Sequence, residues 1–187
     1  MKRCQWCESD VLYTKYHDEE WGVPVHSDKK LFEFLILEGA QAGLSWITVL
    51  KKRVAYREVF DNFDFNKVAL YEESKIQSLL NNAGIIRNRL KVRAAVKNAQ
   101  AFIKVRKEFG TFNKYIWIFT EHKTQQNSWK NLKDIPVNTK ISDSMSTDLK
   151  KRGFVFVGST ICYAFMQAIG MVNDHIVNCY RYHELKG

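Results

Sequence analysis

The sequence predicts an all-α protein, on three observations. Apolar residues recur at helical spacing along most of the chain. A capping residue or a glycine punctuates nearly every such stretch. Neither an internal repeat nor a strand–helix alternation is present. The 187 residues, 45% hydrophobic and 26% charged, suit one compact unit or two lobes sharing a core. The expected lobes are about residues 45–120, and a second built from both termini, about 1–44 and 121–187.

The elements follow in order. Asp10 is placed to N-cap a helix carrying Tyr13, Tyr16 and His17. Ser27 or Asp28 opens the next, which runs from Leu31 to Glu38 before Gly39 and Gly43 weaken it. Ser45 caps a third, with Trp46, Val49, Leu50, Arg53 and Arg57 at helical spacing. Ile76, Leu79, Leu80 and Ala83 share a face that stops at Gly84. A long helix resumes near Arg87, with Leu90, Ala94, Phe102, Val105 and Phe109 facing inward, and Phe112, Tyr115, Ile116 and Phe119 form another. Residues 121–140 are polar and weakly patterned, as in a surface loop. A helix from Ser142 to Lys151 ends at Gly153, Phe154–Val157 is the one β-type run, and Thr160–Ile169 is helical up to Gly170. Asn173 or Asp174 caps a last helix, which carries His175 and Cys179.

Twenty-nine basic residues against 20 acidic ones give a net charge of +9. That balance attracts polyanions, of which nucleic acid is the commonest in a cell. The basic residues cluster at Lys51-Lys52-Arg53, at Arg87, Arg89, Lys91 and Arg93, and at Lys150-Lys151-Arg152, although solvated faces produce such clusters too. No apolar run approaches the ~20 residues of a membrane span, and no charged-then-apolar leader pattern follows Met1. The expectation is a soluble cytoplasmic protein without a membrane partner.

The four cysteines are Cys4, Cys7, Cys162 and Cys179. In a cytosolic protein, metal ligands or buried thiols are commoner than disulfides. On the expected last helix, His175 and Cys179 point to one face, a familiar half-site for zinc. The other half comes from the N-terminal segment, either as Cys4 with Cys7 or as Cys4 with His17. Two pairs fill four tetrahedral positions and leave no site for water, so the zinc is expected to tie the chain ends together rather than to do chemistry.

A helix–glycine–helix pattern from Ile76 to Lys104 centres on Ala83-Gly84-Ile85-Ile86. A tight turn there exposes backbone amides at the start of the second helix, where the dipole favours an anion, and Arg87 and its basic neighbours add charge. A plain helical hairpin with a solvated face explains the same residues.

Glu38 continues the buried stripe of Leu31, Phe34 and Leu35. A buried carboxylate is costly unless paired, so an arginine partner or a cap is the plain expectation. Trp6, Tyr13, Tyr16, Trp21 and Trp46 crowd into the same part of the chain. An aromatic box around a carboxylate suits a flat cationic ring, which can stack on the ring faces while the carboxylate accepts its N–H groups.

Four stretches, Tyr13–Pro24 (YTKYHDEEWGVP), Glu38–Lys52 (EGAQAGLSWITVLKK), Ala83–Arg87 (AGIIR) and Lys151–His175 (KRGFVFVGSTICYAFMQAIGMVNDH), make the chain resemble the bacterial 3-methyladenine DNA glycosylase I family over essentially its whole length. The resemblance implies a helix-hairpin-helix DNA glycosylase fold with Gly84 and Ile85 at the hairpin. It implies one structural zinc on Cys4, His17, His175 and Cys179, leaving Cys7 out. It also implies a base pocket in which Glu38 and Tyr16 hydrogen-bond the base, Trp46 stacks on it, and Trp6, Tyr13 and Trp21 complete the wall. Gly43 and Leu44 fall in the segment expected to fill the gap left by a flipped nucleotide.

Related hairpin glycosylases generally carry an aspartate after the hairpin, and bifunctional members a lysine just past it. Here no aspartate lies between Asp64 and Asp134, and Arg87-Asn88-Arg89 follows the turn. The expected enzyme is therefore monofunctional. It takes double-stranded DNA with alkylated bases, releases free 3-methyladenine and acts as a monomer. A non-catalytic zinc-stabilised DNA-binding module on the same fold is the alternative, and it has no use for Glu38 or the aromatic box.

Overall fold

The computed structural model describes residues 1–186. In chain order the α-helices are α1 (Val11–Glu19), α2 (Asp28–Gln41), α3 (Trp46–Val59), α4 (Phe65–Val68), α5 (Glu73–Asn81), α6 (Arg89–Phe109), α7 (Phe112–Ile116), α8 (Lys140–Lys151), α9 (Ser159–Ala168) and α10 (Tyr180–Glu184). Short 3-10 turns join several of them. The remaining regular structure is one parallel pair of two-residue strands, β1 (Gln125–Gln126) and β2 (Val172–Asn173).

Capping chemistry sets several starts. Asp10 accepts from the Leu12 amide, Asn88 from those of Leu90 and Lys91, and Thr139 forms a reciprocal capping box with Ser142. That box starts α8 at Lys140, two residues ahead of the expected Ser142.

The core is organised around α2. Every residue from Leu31 to Ala40 is buried, as expected of a helix that is apolar nearly all round. It packs against α3, α6, α7 and α9. The amphipathic α6 buries Val92, Ala95, Val96, Ala99, Phe102 and Val105. Phe102 stacks on Phe112, with ring centroids 4.1 Å apart. Gly84 has no room for a side chain, because a Cβ there would lie 2.8 Å from Ala55 Cβ on α3. Close packing of the turn against α3 therefore requires glycine.

The structure corrects three expectations. Leu90 is exposed, because it stands about 200° around the helix from Val92, where the buried face begins. Phe154–Val157 forms no strand: Phe156 takes a positive φ of 56° that breaks the extended run. His175 and Cys179 do not share a helix. They lie in the turn between β2 and α10, closed by the Cys179 amide on the Ile176 carbonyl. Asp174 does not cap a helix there, because its carboxylate is taken by Asn127, Trp129, Tyr163 and Gln167.

Candidate functional site

A cavity of about 380 Å³ opens between α1, α2, the start of α3, α9 and the loop ahead of α8. All six residues expected to form the base pocket line it: Trp6, Tyr13, Tyr16, Trp21, Glu38 and Trp46. Tyr13 and Tyr16 lie one turn apart on α1, and the Tyr16 ring meets that of Trp46 at a 5.4 Å centroid distance. Trp6 packs edge-on against Tyr13 at 4.8 Å and Trp21 at 5.1 Å. The sequence reading missed Gln41, Leu132, Ile135, Pro136, Ala164 and Gln167, which complete the lining. The apolar Leu132, Ile135 and Pro136 inside an otherwise polar stretch were the available signal.

Glu38 is 3% exposed, and its Oε2 has no hydrogen-bond partner. No arginine reaches it. The buried Arg53 guanidinium goes instead to Glu20 and Glu33. Burial without a compensating charge pushes the Glu38 carboxyl up to about 8. Burial also raises the Tyr16 phenol, and nearness to Glu38 raises it further. The Trp46 indole Nε1 is a second buried atom without a partner. The lining thus offers an unpaired carboxyl, an unused indole donor and several ring faces, which is the chemistry that takes a flat, N–H-bearing heterocycle.

The ring wall continues into a second cluster. Cys4, His17, His175 and Cys179 are all buried, and their ligand atoms lie within 4.8 Å of one another. His17 Nδ1 meets the Asp18 carboxylate at 2.8 Å, and His175 Nε2 meets the Trp21 carbonyl at 3.0 Å. Both partners can only accept, so the protons sit on those outer nitrogens. The inner His17 Nε2 and His175 Nδ1, 3.2 Å apart, then turn lone pairs toward each other in the neutral rings. Cys179 Sγ is 3.4 Å from the first and 3.5 Å from the second. Cys4 Sγ lies 3.8 Å from the inner His175 Nδ1. Two facing imidazole lone pairs and two buried thiols within reach of them fit a metal cation, with the outer contacts orienting both rings. Cys7 stands aside, with its Sγ donating to the Cys4 carbonyl.

Next to the cavity, the α2–α3 turn carries Gly43, at φ +78°, and the half-exposed Leu44. Both line a smaller hollow of about 160 Å³ that shares Glu38, Gln41 and Ala164 with the main cavity. At the hairpin, the backbone amides are less free than expected. The Gly84 amide donates to Asn82 Oδ1, and that of Ile86 to the Tyr56 hydroxyl. The Ile85 side chain is buried, whereas Arg87 is exposed. The basic cluster also divides. Lys91 donates to the carbonyls of Ala40 and Ala42 at the end of α2, and Arg93 pairs with Glu73. Arg53 of the Lys51-Lys52-Arg53 run is buried in its ion cluster, and Arg152 pairs with Glu108 and Asp148.

Fold and cavity together define a helical protein with an aromatic, carboxylate-bearing pocket. The sequence profile of the methyladenine glycosylase family matches residues 6–182, and the chain belongs to that family. DNA-3-methyladenine glycosylase 1 of Escherichia coli K12 is 52% identical over 179 residues, covering 96% of each chain. A crystal structure of 3-methyladenine DNA glycosylase I superposes with a TM-score of 0.94 at 49% identity, covering 96% of this chain and 98% of the other. A tyrosine-to-phenylalanine variant of 3-methyladenine DNA glycosylase I, crystallised in complex with 3-methyladenine, superposes with a TM-score of 0.93 at 34% identity, covering 96% of this chain and 97% of the other.

Proposed function

We propose that the protein is a monofunctional DNA-3-methyladenine glycosylase. It hydrolyses the N-glycosidic bond of an alkylated nucleotide flipped out of duplex DNA and releases 3-methyladenine. The observation that carries this reading is the unpaired, buried Glu38 carboxyl in the aromatic cavity, together with relatives that bear that activity in their names. Alkylation at N3 places positive charge on the adenine ring and weakens its bond to the sugar. A dry pocket then needs only modest further stabilisation of the transition state. Trp46 and Tyr16 stack on or bond the base, Glu38 accepts its N–H groups, and Trp6, Tyr13 and Trp21 close the wall. Glu38 chiefly recognises the base, and activation of water is the alternative role.

On the DNA side, the hairpin at Gly84 and Ile85 with the exposed Arg87 meets the phosphate backbone, and the Gly43-Leu44 turn fills the vacated space. The chain works as a monomer. Its hairpin lobe, about 45–120, supplies Trp46, and the lobe of both termini supplies the other five pocket residues.

Purified protein incubated with N-methylated duplex DNA should release 3-methyladenine, identified by chromatography, and leave the strand uncut. Salt-sensitive DNA binding with no base released would overturn the reading in favour of the non-catalytic module.

One zinc ion per chain belongs to this proposal, on Cys4, His17, His175 and Cys179. Zinc would hold the two chain ends together when bound and supply no step of the reaction. Trp6 and Trp21 pack on the rings of His17 and His175, so the cluster also buttresses the pocket wall. Metal analysis should find one equivalent of zinc. Chelation should lower stability by about 4 kcal/mol, for a metal supplied at a thousand times its dissociation constant, and shift tryptophan fluorescence. An unchanged unfolding temperature in chelator would overturn the assignment.

A further inference from the structure

Gln167 lines the same cavity from α9, and its side-chain amide is not free to turn. Its Nε2 donates to Asp174 Oδ2 at 2.8 Å. The Tyr163 hydroxyl donates to that same oxygen at 2.6 Å. Asp174 Oδ1 receives Asn127 Nδ2 at 2.6 Å and Trp129 Nε1 at 2.7 Å. Asp174 is 1% exposed, and its two oxygens together offer about four acceptor positions. Four donors fill them. A carboxylate only accepts and the Trp129 indole only donates, so Gln167 must turn its NH₂ group toward Asp174. The reverse orientation sets a carbonyl against the carboxylate and removes one of its four donors. Gln167 Oε1 is thereby left as a fixed acceptor, with no protein donor on it among the described residues.

We infer that Gln167 is a specificity-determining residue whose locked carbonyl admits bases with an amino edge and rejects bases with a carbonyl edge. The inference rests on the proposed use of this cavity as the base site. An adenine-type ring carries an exocyclic amino group, which meets an acceptor as a hydrogen bond. A guanine-type ring carries a carbonyl at the corresponding position, which sets acceptor against acceptor. Glu38 alone discriminates poorly, because a carboxyl becomes a donor by taking up a proton. The Gln167 amide has no such freedom while Asp174 holds it. Leaving buried polar groups unpaired is how a recognition site rejects the wrong ligand most strongly.

The test compares release of 3-methyladenine and 3-methylguanine from methylated duplex DNA, with equilibrium binding of each free base, by the full chain. Gln167→Met keeps the side-chain size and removes the acceptor. It should lower the preference for 3-methyladenine about 5- to 10-fold, with the loss confined to that base. Gln167→Glu can share a proton with Asp174 and keep an acceptor toward the cavity, so it should hold the preference within about 3-fold of the parent. An unchanged preference in Gln167→Met, or an equal loss for both bases, overturns the inference. Glu38→Gln and Trp46→Ala in the same assay separate the two levels. If these weaken 3-methyladenine binding while Gln167→Met spares the preference, only the role of Gln167 falls. If they leave binding untouched, the base-site reading falls with it.

Discussion

Helix α2 carries two buried carboxylates five positions apart, Glu33 at 6% exposure and Glu38 at 3%. Five residues turn the helix by about 140°, so the two face different neighbours. Glu33 faces α3, where its Oε1 accepts from Arg53 at 2.6 Å and from Arg57 at 2.9 Å. Arg53 also donates to both oxygens of Glu20, next to the end of α1. Glu33 thus belongs to an ion cluster binding the three helices that carry Tyr16, Glu38 and Trp46. Glu38 faces the cavity, where no cation offsets its desolvation. A buried charge with partners does structural work, whereas one left without them marks a place kept for a ligand.

Reciprocal substitutions break or sharpen that contrast, and the largest expected effect is on stability. Glu33→Ala leaves the Arg53 guanidinium buried with only Glu20, and should destabilise the fold by about 3 kcal/mol, the lower end for a broken buried pair. At temperatures where this variant is still folded, its rate of base release should stay within about 3-fold of the parent. Glu38→Gln should do the reverse. Its stability at neutral pH should equal or exceed the parent's, while kcat/KM for base release falls about 100-fold. Denaturant unfolding and a base-release assay on both variants decide it. If Glu38→Gln destabilises as much as Glu33→Ala, the two carboxylates are alike and the contrast is lost.

The sequence exposed Glu38 more readily than its surroundings. A charge that continues the buried stripe of Leu31, Phe34 and Leu35 conflicts with the local pattern, and local patterns are what periodicity reports. The aromatic residues were legible for the same reason, since they crowd the N-terminal third. Groups whose environment depends on distant partners were not legible. Lys91 reads as part of a phosphate grip, yet it caps the end of α2 from 49 and 51 positions away. The His175–Cys179 spacing fits a helix, but Asp174 is drawn off by donors from the α8-side loop and α9, and the chain turns instead. Residue type and spacing offered His175 with Cys179, and Cys4 with either Cys7 or His17; resemblance to a family chose His17, and the turn that brings the four together follows only from tertiary contacts. Gln167 carries no local signal, because its orientation is set entirely by the neighbours of Asp174.

The last predicted effect is a pH dependence carried by Glu38. Its carboxyl sits at about 8 in the folded chain against an ordinary 4.5, raised by burial. Between those values the folded state binds a proton that the unfolded state has lost. Stability is therefore full below about pH 4.5 and is lost as pH rises toward 8, by up to about 1.4 kcal/mol per unit. Reactivity should run the other way. An alkylated adenine in DNA is cationic, so its capture favours the ionised carboxylate, and kcat/KM should rise up to about pH 8 and then level. Glu38→Gln should flatten that part of both profiles. A parent enzyme whose kcat/KM is flat from pH 6 to 8 would show that Glu38 does not meet the base as a carboxylate. Opposed slopes, abolished together by one substitution, would instead establish that the protein gives up stability to keep an unpaired carboxyl ready to ionise against a cationic base.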